Sequence, residues 1–293
     1  MTSPPSVTEV SSSRLTDVGG LTVHRALPTR GRRTVGAWCF LDRFGPVAVD
    51  PERTATIGPH PHIGLHTVTW LLEGEMLHTD SLGSEQLIRP GQLNLMTAGN
   101  GIAHAEDARH LRSGRMNGVQ FWVAQPEATR HGAPSFAHHG DLPHVDLRNG
   151  HATVLLGSFD GVQSPAQLDS NLVGIDVTAH GPLDLPLNPQ FEYAIAALHG
   201  SLRCEGATLS TDEFMYLGAE REQIHLDLTQ EARILVLGGV PFEADIVMWW
   251  NFVARDRKEM ETAKADWDAG SERFGPVATT LPRIEAPHPF WLI

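Results

Sequence analysis

Pro59-His60-Pro61-His62 and Gly101-Ile102-Ala103-His104-Ala105-Glu106 bracket the stretch that decides how this chain is read. In an extended strand, residues two apart point to the same face, so His60 with His62, and His104 with Glu106, each present two side chains in one direction. Between the pairs lie strand-like segments at Thr67–Leu72, Glu75–Thr79 and Gln92–Met96, separated by Glu73-Gly74, Leu82-Gly83 and Pro90-Gly91. This pattern predicts an antiparallel meander. Closed into a small barrel, it can bring its first and last strands to one interior, where three imidazoles and a carboxylate meet. Such a set binds a transition metal, because imidazole suits iron, copper, nickel and zinc and the carboxylate adds negative charge.

Working outward, 293 residues with 41% hydrophobic content are enough for two domains with real cores. A formal charge of −13 excludes a general nucleic-acid or anionic-membrane binder, which needs a basic surface. Two cysteines, Cys39 and Cys204, make neither a disulfide framework nor a zinc ribbon and read as small apolar residues. No apolar run reaches membrane-spanning length and no leader-like segment precedes the first strand, so the expected location is cytoplasmic. Trp38 to Phe44 reads as a core strand whose Trp38 and Phe44, with Trp70 and Met96, would wall the metal cavity. Val119 to Val123 closes the first unit. Residues 124–147, rich in Pro, His, Gly and Ala, read as a connector in which His138 and His139 are solvated. Arg30, Arg32 and Arg33 read as a solvated turn.

A second strand-rich unit runs from Ala152 to Leu237, and His199-Gly200-Ser201 repeats the punctuation of Glu73-Gly74-Glu75. This predicts an internal duplication of the barrel. The second copy carries Pro189-Gln190-Phe191-Glu192-Tyr193 in place of an H-x-H pair and is expected to hold no metal. Asp256 followed by Glu259, with Met260, Ala263 and Trp267 at helical spacing and Gly270 beyond, predicts a packed helix near 256–269. The expected domains are 1–136, the metal-binding barrel, and 137–293, the second barrel with the helix.

The motifs His60-Pro61-His62-Ile63-Gly64, Thr67-Val68-Thr69-Trp70, Leu72-Glu73-Gly74-Glu75, Pro90-Gly91 and Met96-Thr97-Ala98-Gly99-Asn100-Gly101-Ile102 through His104-x-Glu106 resemble the pirin family of bicupins. Phe40-Leu41-Asp42-Arg43-Phe44-Gly45-Pro46, and later Met248-Trp249-Trp250-Asn251-Phe252 and Arg273-Phe274-Gly275, extend the likeness. The resemblance implies an all-β chain of two tandem cupin-type barrels with a C-terminal helix. It also implies one divalent metal on His60, His62, His104 and Glu106, iron being the first choice and copper, nickel, manganese or zinc the others. Pirin-like bicupins include quercetin 2,3-dioxygenases, so the resemblance implies a flavonol and dioxygen as substrates, with Glu106 as both ligand and catalytic base. Others in the family are metal-dependent partners of transcription factors, which gives the alternative of a redox-responsive interaction protein. His66 stands where many pirins carry glutamate and is expected to support the ligands or to pack. His78 and His110 are expected at the surface or rim, and Asn94 near the last histidine position of ordinary cupins.

Overall fold

A computed structural model describes residues 8–48, 56–108 and 114–292 of the chain. His110 lies outside them. The described residues pack as two units, each gathered from separate stretches: those within 16–23, 44–140 and 243–292 form the metal-site unit, while those within 8–15, 24–43 and 141–242 form the second unit.

Eight strands of the metal-site unit position the site: β1 (Thr56–His62), β2 (Leu65–Glu73), β3 (Met76–Asp80), β4 (Glu85–Ile88), β5 (Leu93–Thr97), β6 (Ile102–Asp107), β7 (Arg115–Ala124) and β8 (Ser135–His139). One sheet has the order β1-β6-β3-β4, and the run β8-β5-β2-β7 lies in another. All these pairings are antiparallel. The turn from β1 to β2 passes through Gly64 at φ +67°, where a Cβ would lie 2.3 Å from the Val253 carbonyl oxygen, so only glycine fits. An apolar layer of Leu21, Val23, Phe44, Leu71, Met76, Ile88, Ala108 and Met116 closes the interior below the polar residues. Phe44 belongs to this layer. The segment expected as a mere connector contributes β8, which pairs with β5 from Ser135↔Thr97 to His139↔Leu93.

The helix, α1 (Arg257–Asp268), starts at Asp256, whose Oδ1 accepts from the Glu259 N–H at 3.0 Å. It ends before Gly270 at φ +64°. Its buried Met260, Ala263 and Trp267 pack with Ile63, Ala103, Phe252 and Phe274. The helix therefore falls in the metal-site unit rather than with the second barrel, where its place in the sequence had put it. Apolar contact, not chain order, decides where it packs.

In the second unit, β9 (Leu172–Pro186), β10 (Glu192–His199), β11 (Ser201–Cys204), β12 (Ala207–Ser210), β13 (Glu213–Gly218) and β14 (Gln223–Gly239) repeat the meander. The two segments expected as separate strands at Ile224–Leu228 and Arg233–Leu237 are one long strand. It pairs with β9 throughout, and the register shifts between Ala179 and Gly181. Trp38 is part of this unit. Its Nε1–H donates to the Gly238 carbonyl at 3.2 Å, so it does not wall the metal cavity.

The duplication is legible in the pairings. His60 lies opposite His104 across β1 and β6, and Leu185 lies opposite Ile224 across β9 and β14. Leu185, Leu187, Ile224 and Leu226 thus take the positions of His60, His62, His104 and Glu106. The equivalent of the H-x-H pair is Leu185-x-Leu187, not the segment at Pro189–Tyr193. Aliphatic side chains offer a metal no donor atom.

Candidate metal centre

His60, His62 and His104 are all buried, and each offers a ring nitrogen within 4.8 Å of the others. His62 Nε2 and His104 Nε2 lie 3.1 Å apart. The rings are positioned from behind. His60 Nδ1 lies 2.9 Å from the Gly58 carbonyl oxygen, and His62 Nδ1 lies 2.9 Å from that of Asn251. A carbonyl oxygen only accepts, so each Nδ1 carries the proton and each Nε2 keeps its lone pair for the centre.

His104 is oriented by a chain of two further residues. Asp80 Oδ1 accepts from the backbone N–H groups of Leu82 and Ser84 at 2.9 and 3.0 Å. Its Oδ2 lies 3.1 Å from His78 Nε2. Burial works to raise the Asp80 pKa, but the bonds from His78 and Ser84 hold it below the ordinary value, so it is a carboxylate and acceptor. His78 Nε2 must then be the donor. That leaves its Nδ1 to accept from His104 Nδ1–H at 3.3 Å, and His104 Nε2 is free to ligate. His78 is 3% exposed, which corrects its expected place at the surface or rim. The reason is pairing: His78 lies opposite Glu106 and Asp80 opposite His104, on the inward face of the sheet. His78-Thr79-Asp80 is another polar i,i+2 pair, and that spacing was the available signal.

Desolvation lowers the His60 pKa to about 4 and those of His62 and His104 well below 6.5, so all three imidazoles are neutral at pH 7. With both Nδ1 atoms engaged as donors, the Nε2 lone pairs of His62 and His104 face one another at 3.1 Å. That contact is repulsive unless a cation lies between them, so the donor set fits a divalent metal. Glu106, the next inward residue on β6, is buried, and desolvation raises its pKa to about 7. It is not one of the three residues whose donor atoms converge.

Aromatic rings close the site. Trp122 meets His62 edge-on at 5.2 Å between centroids, and Phe136 stacks on His78 at 4.4 Å. Trp122, Thr67, Met96 and Phe136 are successive cross-strand partners and share the inward face. Met96 thus lines the interior as expected. Trp70 and His66 alternate with Thr67 and Thr69 and point to the opposite face, where His66 Nδ1 bonds Thr97 Oγ1 at 2.9 Å. Asn94 is buried on the inward face, its Oδ1 accepting from His138 Nδ1 at 2.7 Å. His138, expected as a solvated loop residue, is therefore a half-buried strand residue.

A β-barrel meander, repeated once and carrying in one copy three inward histidines whose donor atoms converge, defines a bicupin with a candidate metal centre among its described residues. Residues 20–123 match the Pirin family model, and residues 172–275 match that of the Pirin C-terminal cupin domain. The chain is 46% identical over 282 residues to a Pseudomonas aeruginosa protein that bears the provisional name quercetin 2,3-dioxygenase, covering 94% of this chain and 88% of that one. It is 37% identical to a pirin-like protein of Caulobacter vibrioides, covering 89% and 93%. The crystal structure of a quercetin 2,3-dioxygenase from Acinetobacter baumannii superposes with a TM-score of 0.92 at 42% identity, covering 96% of this chain and 95% of that one. The chain belongs to the pirin family.

Proposed function

We propose that this pirin is a metal-dependent dioxygenase that opens the central ring of a flavonol with release of carbon monoxide. The observation that carries the reading is the convergence of three neutral imidazoles with their Nδ1 atoms engaged. A three-histidine set leaves coordination positions for substrate, as a catalytic centre requires. We assign Glu106 as the fourth ligand and iron as the metal. The similarity to proteins named quercetin 2,3-dioxygenase supports the substrate class.

A divalent metal held here supplies Lewis acidity toward a neighbouring hydroxyl and carbonyl oxygen pair. The residues do the rest. Glu106, the next inward carboxylate on β6, whose pKa burial raises to about 7 in the metal-free protein, takes the proton of the substrate's 3-hydroxyl in this reading. Serving as base requires its carboxylate to leave any ligand position. The Gly58 and Asn251 carbonyls and His78 keep the three rings in place, while Trp122 and Phe136 offer flat apolar walls to an aromatic substrate.

The test is anaerobic purification with metal analysis, then oxygen uptake and carbon monoxide release with quercetin on the same sample, with His104→Ala as control. Metal-dependent uptake with carbon monoxide, absent in the variant, is the expected result. Stoichiometric metal with no turnover would replace this reading by that of a metal-responsive interaction protein.

A further inference from the structure

The second unit, which carries aliphatic residues where the other barrel has its ligands, contains a cavity of about 470 Å³. It opens at the end of the barrel that corresponds to the metal centre, because Leu187, at the position of His62, lines it together with Asn188. The volume falls in the range of small-molecule sites.

Its chemistry is selective. Val173, Ile175, Phe191, Tyr193 and Val236 give it an apolar wall, and Phe159 from the loop after Leu156 faces them. The amides of Gln163, Gln167, Asn171 and Asn188 and the hydroxyls of Ser158 and Ser170 supply neutral polar groups. No lysine, arginine or histidine lines it, and its one carboxylate, Asp160, is exposed. An anion would find no counter-charge here, so an uncharged molecule fits best.

Tyr193 gives the cavity a direction. It is 3% exposed, and its Oη accepts from the Asn188 backbone N–H at 2.8 Å. A phenol both donates and accepts, so this bond leaves the hydroxyl proton for an acceptor in the cavity. Burial raises the Tyr193 pKa, which keeps that proton in place at pH 7. The ring is set by Gly238, where a Cβ would lie 2.3 Å from Tyr193 Cε1.

We propose that this cavity is a second binding site, for an uncharged planar aromatic molecule with a carbonyl oxygen that accepts the Tyr193 hydroxyl proton and rings that pack on Phe159 and Phe191. The site does not rest on the catalytic reading of the metal centre. The probe is flavone, which carries the ring system and the carbonyl but no hydroxyl beside it with which to chelate a metal. Binding is measured by calorimetry on metal-free His104→Ala protein, so turnover and ligation in the other barrel are both out of play. One equivalent should bind saturably. Tyr193→Phe should weaken it about 5-fold, the value of one neutral hydrogen bond. Leu168→Trp, at a half-buried lining position where the larger ring takes up cavity volume, should weaken it at least about 10-fold. Both variants are checked for wild-type circular dichroism and melting. Absence of saturable binding to the His104→Ala protein, or a Kd that neither folded variant changes, would overturn the proposal.

Discussion

His78 is the residue on which the geometry of His104 depends, since its Nδ1 accepts a hydrogen bond from His104 Nδ1–H and its Nε2 is fixed by Asp80. His78→Phe keeps a flat ring against Phe136 but removes the acceptor. Its metal affinity should fall about 10- to 100-fold, as for other residues that orient a ligating histidine. A chelator competition titration measures this, and unchanged affinity would dismiss the chain from Asp80 to His104. Glu106 makes a second prediction, through linkage in metal-free protein. Its pKa is raised from 4.5 to about 7, so its contribution to stability is present below pH 4.5 and lost as pH rises through 7. His60 runs the other way: lowered from 6.5 to about 4, its contribution is present above pH 6.5 and lost as pH falls through 4. Glu106→Gln removes only the first effect. The metal-free variant should therefore exceed metal-free wild type by about 3 kcal/mol at pH 8, with the gap closing below pH 4.5. Urea unfolding at the two pH values measures the gap. Equal stability at pH 8 would mean that the carboxylate is solvated. The three histidines that converge were legible because a period of two is a purely local signal. The bonds that set their tautomers were not, since Asn251 is 189 residues from His62 and nothing local links them.

At the scale of elements, the hairpin and helix near the C-terminus act on the metal site through packing. Trp249 and Phe252 flank the turn that presents the Asn251 carbonyl, and both belong to the cluster formed with Met260, Ala263 and Trp267 of α1. The start, end and buried face of α1 followed from its capping residues and spacing. Its partner did not, because an amphipathic stripe says that a face is buried but not against what. The same limit misplaced Trp38, whose aromatic strand could have packed on either barrel. Trp267→Ala should cost about 3–5 kcal/mol as a large-to-small core change. If the hairpin holds the carbonyl in place, it should also weaken metal binding. Asp256→Ala, which removes only the cap, should cost about 1 kcal/mol and leave metal affinity unchanged. Thermal melts paired with metal titration of both variants separate the two effects, and a loss of affinity equal in both would deny the cluster its role in holding Asn251.

For the whole molecule, the three converging histidines lie in one of the two barrels, and the prediction is one metal equivalent per chain. The second copy carries Leu185, Leu187, Ile224 and Leu226 at the positions of His60, His62, His104 and Glu106, without the register shift that separates His104 from Glu106, so burial that is unfavourable for a charged group becomes favourable. The sequence announced a repeat through its turns, but the turns shift the alignment by residues, and only the ladder pairing brought Leu185 into line with His60. Metal that binds the folded chain alone must stabilise it by mass action, by about 2.7 kcal/mol at a free concentration one hundred times the Kd. In a chain of 293 residues that corresponds to a rise in Tm of about 4 °C. Calorimetric melts across a metal series should show the rise saturating at one equivalent. His62→Ala should abolish it, whereas Leu187→Ala, at the matching position of the other barrel, should lower the starting Tm and leave the metal-dependent increment intact. A second equivalent that adds a further increment in wild type and survives His62→Ala would place a metal outside these histidines, and the division of labour between the two barrels would fail.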